Sequence, residues 1–180
     1  MSHSTEQATL AGGCFWCIEA AFNSLQGINS AISGYMGGTN EQPSYEEVCS
    51  GSTGHAEVVQ LTFDPELISY REILEIFFAL HDPTQVNRQG NDIGTQYRSA
   101  IFCHNDEQKK QAFQIIDEIN NEQIWPAPVV TEVNDLTTFY SGEEYHQEYF
   151  TNNPENQYCQ AVVSPKLAKF KQTFANKLKA

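Results

Sequence analysis

The stretch Ala8-Thr9-Leu10-Ala11-Gly12-Gly13-Cys14-Phe15-Trp16-Cys17-Ile18-Glu19-Ala20-Ala21-Phe22 decides how the chain is read. Ala8 to Ala11 has the character of a strand, and Glu19 to Phe22 that of a helix. The hexapeptide Gly12 to Cys17 is the junction between them. Cys14 then falls on the first helical turn, where free N–H groups and the positive end of the helix dipole point. A thiolate is stabilised in such a place, so the thiol is expected to be a better nucleophile near neutral pH. Two glycines let the backbone turn tightly and let a substrate come close. Phe15 and Trp16, beside a nucleophile, suit a pocket for a small apolar group more than a metal site. The plainer alternative is a buried structural cysteine in an ordinary core.

Working outward, 180 residues fit one domain, 1–180, with a sizeable core. Hydrophobic content of 40% with 18% charged residues fits a globular chain and not a disordered one. No apolar run approaches the ~18 residues of a membrane span. Met1-Ser2-His3-Ser4-Thr5-Glu6-Gln7 lacks a basic region followed by an apolar one, so no secretory signal is expected. A net charge of −13 argues against nucleic acid and anionic membranes as partners. The basic residues Lys166, Lys169, Lys171, Lys177 and Lys179 read as a solvated helix face. The five cysteines, 14, 17, 49, 103 and 159, are odd in number and unevenly spaced. Redox or nucleophilic use is therefore favoured over a disulfide framework, and a reducing cytoplasm is the expected compartment.

Strands and helices are interspersed along the chain, with no internal repeat and no linker. Strands are expected at 28–36, 56–63, 98–103 and 129–133. Ser44-Tyr45-Glu46-Glu47 and Ser69-Tyr70-Arg71-Glu72 have the form of capping boxes, so helices should begin there. Tyr70, Ile73, Leu74 and Phe77 form one helical stripe, and Ala112, Ile115, Ile116 and Ile119 another. Ser141-Gly142-Glu143-Glu144 should cap a short helix. From Tyr158 the chain looks irregular until Ser164-Pro165 opens a terminal helix. The mixture points to an α/β or α+β sandwich. The polar segment Asp82 to Tyr97 is long for a loop in a compact domain, which marks it as functional.

Cys14-Phe15-Trp16-Cys17 is a Cys-x-x-Cys with four competing readings. Structural zinc needs a second ligand pair, and Cys49, Cys103 and Cys159 stand alone. His55-Ala56-Glu57 has the His-x-Glu form of zinc deaminases, but their cysteine pair lies downstream and this one lies upstream. Thioredoxin-like chemistry also uses a Cys-x-x-Cys at a strand–helix junction, commonly with a proline inside the motif. The fourth reading is a cysteine nucleophile acting on a small oxidised substrate.

Several further segments bear on the choice: Gly34-Tyr35-Met36-Gly37-Gly38, Pro43-Ser44-Tyr45-Glu46-Glu47-Val48-Cys49, Thr53-Gly54-His55-Ala56-Glu57, His81-Asp82-Pro83-Thr84, Gln89-Gly90-Asn91-Asp92-Ile93-Gly94-Thr95-Gln96-Tyr97-Arg98-Ser99, Phe139-Tyr140 and Glu144-Tyr145-His146-Gln147. With Gly13-Cys14-Phe15-Trp16 they resemble, in order and over nearly the whole chain, the methionine sulfoxide reductase A family. The resemblance implies an α+β two-layer sandwich around a mixed β-sheet, with a ferredoxin-like core, an irregular C-terminal segment and a terminal helix. It implies reduction of the S epimer of methionine sulfoxide, free and in proteins, with no metal and no organic cofactor.

The resemblance also implies roles for particular residues. Cys14 matches the family's nucleophile on the sulfoxide sulfur. Glu57 matches its proton donor, which must be protonated when substrate is bound and so needs a raised pKa. Tyr45 and Tyr97 match two phenols that hold the sulfoxide oxygen, Asp92 a carboxylate that organises polar contacts, and Phe15 and Trp16 the wall around the substrate methyl. Without that match, Glu57 reads as a solvated strand end, the tyrosines as rim packing and Asp92 as a turn residue. Attack leaves Cys14 as a sulfenic acid, which condenses with a second thiol. Cys159, in Asn153-Pro154-Glu155-Asn156-Gln157-Tyr158-Cys159, resembles a C-terminal resolving cysteine in a mobile segment; Cys17 is the other candidate. Cys159 is preferred because a disulfide within one helical turn is strained. Thioredoxin is the implied reductant. A general thiol–disulfide oxidoreductase and a non-catalytic module binding methyl sulfoxides are the competing functions.

Overall fold

In chain order the elements are β1 (Glu6–Gly12), α1 (Phe15–Asn23), β2 (Ile28–Met36), α2 (Tyr45–Cys49), β3 (Ala56–Phe63), α3 (Tyr70–Leu80), β4 (Arg88–Gln89), β5 (Asp92–Ile93), β6 (Ser99–Cys103), α4 (Asp106–Asn121), β7 (Glu132–Asp135), β8 (Tyr140–Ser141), α5 (Tyr149–Asn152) and α6 (Ser164–Thr173). The structure, a computed structural model, describes residues 5–39, 41–90, 92–153 and 155–178. The motif residues Asn91 and Pro154, the first four residues and Lys179 lie outside the described residues.

Six strands form one sheet in the order β7-β6-β1-β3-β2-β8. The β6–β7 pair is parallel and the other pairs are antiparallel, so the sheet is mixed, as expected. Side-chain alternation sorts β3 into two faces. Val59, Leu61 and Phe63 join Phe15, Ile18, Phe22, Ile73 and Phe77 in the main core. Ala56 and Val58 belong to the second face with Ala11, Met36, Ala100 and Phe102, where Phe139 packs against them. Met36 is fully buried there.

Both capping boxes are made. The Ser44 and Ser69 side chains accept from the Glu47 and Glu72 N–H groups, and each Glu side chain reaches back to the cap. The stripe on α3 is buried, and so is most of that on α4. Three expectations shift. The 129–133 strand begins only at Glu132, because the Val130 N–H is taken by the Pro83 carbonyl and not by a ladder. Ser141 caps nothing; it is drawn into β8 opposite Gly34, and the turn that follows is a 3-10 turn, Glu144–His146. Helical winding starts before Ser164, in a π-type turn at Cys159–Val163 that runs directly into α6.

Register positions the site. Leu10 pairs with Val59 in the antiparallel β1–β3 ladder, so the end of β1 comes level with Glu57. Tyr35 pairs with Glu57 on the other flank, and Gly12 pairs with Ser99 at the start of β6. The end of β1, the start of β3, the end of β2 and the start of β6 therefore meet at one end of the sheet. Two glycines permit this. Gly13 has φ +95°, and a Cβ there would lie 2.8 Å from the Gln89 side chain. Gly34 lets β8 approach: a Cβ would come within 2.4 Å of the Tyr140 carbonyl.

Candidate active site

Cys14 is the N-cap of α1, extended at φ −61° and ψ 124°, one position before the expected first helical turn. It is 9% exposed, and all five cysteines are free. Its sulfur receives the Trp16 backbone N–H and is hydrogen-bonded to the Cys17 side chain. The helix end thus points at the thiol as expected, and the Trp16 N–H works to lower the pKa, but it is outweighed. Burial pushes the Cys14 thiol well above the ordinary range, and the bond to Cys17 and the charge of Glu57 add to the rise. Cys17 moves down, because the hydrogen bond from Cys14 outweighs its own burial. Of the two thiols, Cys14 therefore holds its proton the more tightly. Desolvation beats the helix dipole here, which corrects the expectation of a stabilised Cys14 thiolate.

Glu57 occupies a position in β3 that alternation assigns to the core face, and it is 1% exposed. The Phe15 N–H donates to its Oε1 at 3.2 Å, and Oε2 is buried with no partner among the described residues. Burial raises its pKa to about 8. The Phe15 N–H works against that rise, while the negative charges of Asp92 and Cys17 reinforce it. A neutral carboxyl with one oxygen unengaged is thereby held beside the residue that follows Cys14.

Phe15 is fully buried, and its ring lies 5.7 Å from Tyr35, 6.1 Å from Tyr45 and 5.4 Å from His146. Trp16 is partly exposed. Its Nε1–H donates to His146 Nδ1 at 3.1 Å, and Tyr149 stacks on it at 3.9 Å. Tyr45 begins α2 and is fixed through its N–H, which Glu143 Oε2 accepts at 3.0 Å; Oε1 of the same carboxylate takes the Tyr35 phenol at 2.9 Å. Tyr97 sits in the 3-10 turn Thr95–Tyr97 before β6. Burial, followed by the charge of Glu57, raises both the Tyr45 and Tyr97 phenols, which keeps them neutral donors. The two phenols also act on Cys49, where they oppose the rise that burial gives its thiol. Asp92, in β5, accepts from the Tyr158 phenol at 2.5 Å.

Cys159 is fully buried and forms one cluster with Cys14, Cys17 and Val163, packed by Trp16, Tyr149, Phe150 and Tyr158. The structure thus gathers Cys14, Cys17, Cys159, Phe15, Trp16 and Glu57 around the N-terminus of α1. Tyr45 joins through Phe15, and Asp92 through Tyr158. Cys159 is docked in a helical turn, not carried on a loose one, because Asn156 Oδ1 accepts the N–H groups of Tyr158 at 2.9 Å and Cys159 at 3.3 Å.

Sequence reasoning passed over Glu143, His146, Tyr149 and Tyr158, which frame the site. The first two flank or lie within the segment Glu144-Tyr145-His146-Gln147, and Tyr158 adjoins a singled-out cysteine. Proximity to such positions was the available signal. Among the described residues no group of three or more His, Cys, Asp and Glu side chains could hold a metal ion.

Comparison with known proteins agrees with this arrangement. The family described as peptide methionine sulfoxide reductase matches residues 6–178. Peptide methionine sulfoxide reductase MsrA of Polynucleobacter asymbioticus is 54% identical, over 94% of this chain and 89% of that protein. The crystal structure of Mxr1 from Saccharomyces cerevisiae in reduced form superposes with a TM-score of 0.80 at 38% identity, covering 86% of this chain and 89% of that one. Mxr1 in complex with Trx2 matches with a TM-score of 0.57 at 26% identity, covering 83% and 89%. A buried acid tied to the residue after a helix-capping cysteine, carried on this mixed sheet and matched from end to end, places the chain in the peptide methionine sulfoxide reductase family.

Proposed function

We propose that Cys14, Glu57, Tyr45, Tyr97 and Asp92 carry out the family's reaction in this chain, with Phe15 and Trp16 walling the methyl group. The enzyme reduces the S epimer of methionine sulfoxide, free and in proteins, to methionine, and thioredoxin regenerates it. The Cys14 sulfur attacks the sulfoxide sulfur. Glu57 gives a proton to the departing oxygen, and the neutral phenols of Tyr45 and Tyr97 donate to it. The protonated oxygen then passes from the substrate sulfur to the Cys14 sulfur as the bond between the two sulfurs breaks, so Cys14 is left as a sulfenic acid and methionine leaves. A second thiol then displaces that oxygen as water and forms a disulfide, which the thioredoxin dithiol reduces. Cys159 is the proposed resolving thiol and Cys17 the alternative. Burial of Cys159 against both other thiols supports it, as does the strain of a disulfide between an N-cap and its own first turn.

The observation that carries this reading is the neutral, half-bonded Glu57 carboxyl beside Cys14. A carboxyl raised by burial is what a proton donor near pH 7 requires. We read the chain as one domain. No helix among the described residues is long and apolar enough to cross a membrane, and the uneven free cysteines favour the cytoplasm. The test is single-turnover methionine formation from resolved R and S sulfoxides, by the wild type and Cys14→Ser. Methionine from the S epimer by the wild type alone is the expected result. Methionine from Cys14→Ser, or equal rates on both epimers, would overturn the assignment. Insulin-type disulfide reduction without sulfoxide reduction would favour the general oxidoreductase.

A further inference from the structure

The segment joining β8 to α6 is pinned to the body and then laid across the site. The Gln147 amide pairs with β2 at Ser33, just past the β8 pairing at Gly34, accepting from its N–H at 3.0 Å and donating to its carbonyl at 2.8 Å. The Glu148 N–H donates to the buried Glu19 carboxylate. Tyr149 covers one face of Trp16, and its phenol oxygen accepts from Asn156 Nδ2 at 3.1 Å. Tyr158 then meets Trp16 edge-on at 5.8 Å and donates to Asp92. Cys159, the next residue, is buried against Cys14 and Cys17. Two consecutive residues of one helical turn therefore touch two parts of the site, the carboxylate and the thiols.

We propose that Tyr158 is a positioning residue that latches the substrate pocket to the redox state of Cys159. Docked on Asp92 in the dithiol enzyme, it orients that carboxylate and closes the wall beside Trp16; disulfide formation at Cys159 withdraws it. The inference rests on Asp92 being the site carboxylate and Cys159 the resolving thiol. In the resolving step the Cys159 sulfur bonds to the Cys14 sulfenic sulfur, the S–O bond breaks, and the oxygen leaves as water with the thiol proton. Neither electrons nor atoms are left over, since the oxidation level of the sulfenic acid passes to the disulfide. The two sulfurs must close from non-bonded contact to about 2.05 Å. Tyr158 shares the turn that moves, and a hydrogen bond of this length does not survive a stretch of about 1 Å. The oxidised enzyme then lacks a complete pocket until it is reduced, so substrate is not held by a form that cannot act on it.

The test uses the full chain and N-acetylmethionine S-sulfoxide amide as the probe, with binding read by equilibrium dialysis. Cys14→Ser stands for the thiol state, because it cannot turn over, and the wild-type disulfide form is titrated beside it. The disulfide form is expected to bind at least tenfold more weakly. Adding Tyr158→Phe, which keeps the ring and removes the hydroxyl, should weaken Cys14→Ser by about that factor and change the disulfide form less than twofold. Adding Asp92→Asn to the Cys14→Ser/Tyr158→Phe variant should weaken it no further. Equal weakening of both redox forms, weakening of neither, or losses that multiply with Asp92→Asn would overturn the latch. Peptide mapping separates the two failures. A Cys14–Cys17 disulfide removes the resolving role of Cys159 and the latch with it. A Cys14–Cys159 disulfide with undiminished binding in Tyr158→Phe removes the latch alone.

Discussion

The backbone N–H of Phe15 donates to Glu57 Oε1, so the residue after the nucleophile is bonded directly to the acid while the second carboxyl oxygen has no partner among the described residues. With its pKa near 8, this carboxyl holds its proton through neutrality and loses it above. The reductive step should therefore fall as pH rises through about 8. Glu57→Gln should lower that step at least ~10²-fold and erase the inflection. Single-turnover rates between pH 6 and 10 check both; a variant within twofold of wild type would remove Glu57 from the mechanism.

The same carboxyl has a cost. Its folded pKa, about 8, lies above the unfolded value of about 4.3. The fold is therefore fully stable, with respect to this group, below about pH 4.3, loses stability as pH rises above that value, and stops losing it past the folded pKa. Glu57→Gln should thus be more stable than wild type at pH 7, by up to roughly 3 kcal/mol, with the gain shrinking toward zero at pH 4. Denaturant unfolding at the two pH values measures this. A variant less stable at pH 7 would contradict burial as the cause of the shift.

Cys159→Ser should still give about one methionine per enzyme but should turn over poorly with thioredoxin, since chemistry on substrate precedes the second thiol. Quench-flow for the first turnover and steady-state rates for the rest separate the two stages. Full thioredoxin turnover in this variant, with a Cys14–Cys17 disulfide in wild type, would transfer the role to Cys17.

After burial, the hydrogen bond to Cys17 is the next cause holding the Cys14 pKa up. Cys17→Ala should lower it, moving the pH profile of iodoacetamide labelling at Cys14 to lower pH. Mass spectrometry of the labelled peptide reads the shift directly, and an unmoved or upward profile would show that the pair is not coupled.

Gly13→Ala should destabilise the protein by about 1–3 kcal/mol, since its backbone lies in the left-handed region and the new Cβ meets Gln89. Trimming the obstacle in Gly13→Ala/Gln89→Ala should recover only part of the loss, because the strained φ remains. Complete recovery in thermal unfolding would assign the cost to the clash alone.

The elements with local signals were legible: the Ser44 and Ser69 capping boxes, the β-branched run 56–63 and the two helical stripes are physics between near neighbours. The junction at Cys14 was legible for the same reason. Its electrostatics were not, because the cluster that buries the thiol includes Cys159, Val163 and Tyr158, contributed by the far end of the chain. Glu57 offered a clue that periodicity alone could have used, as a carboxylate in register with Val59, Leu61 and Phe63. Ser141 was misread because its cap competed with a long-range pairing to Gly34, which no local pattern announces.

Met36 has a consequence for an enzyme whose clients are damaged thioethers. It is the single methionine among the described residues, and it is sealed between Ala11, Val58 and Phe102 with no exposed surface. The molecule thus offers no thioether there for an oxidant to reach, and none that would bring copies of the enzyme to one another as customers. The sulfurs that the proposed cycle oxidises and restores are thiols, gathered around Cys14 at the N-terminus of α1. Oxidation of Met36 therefore has to wait for its face of the sheet to open, so its sulfoxide would report unfolding and not exposure to peroxide.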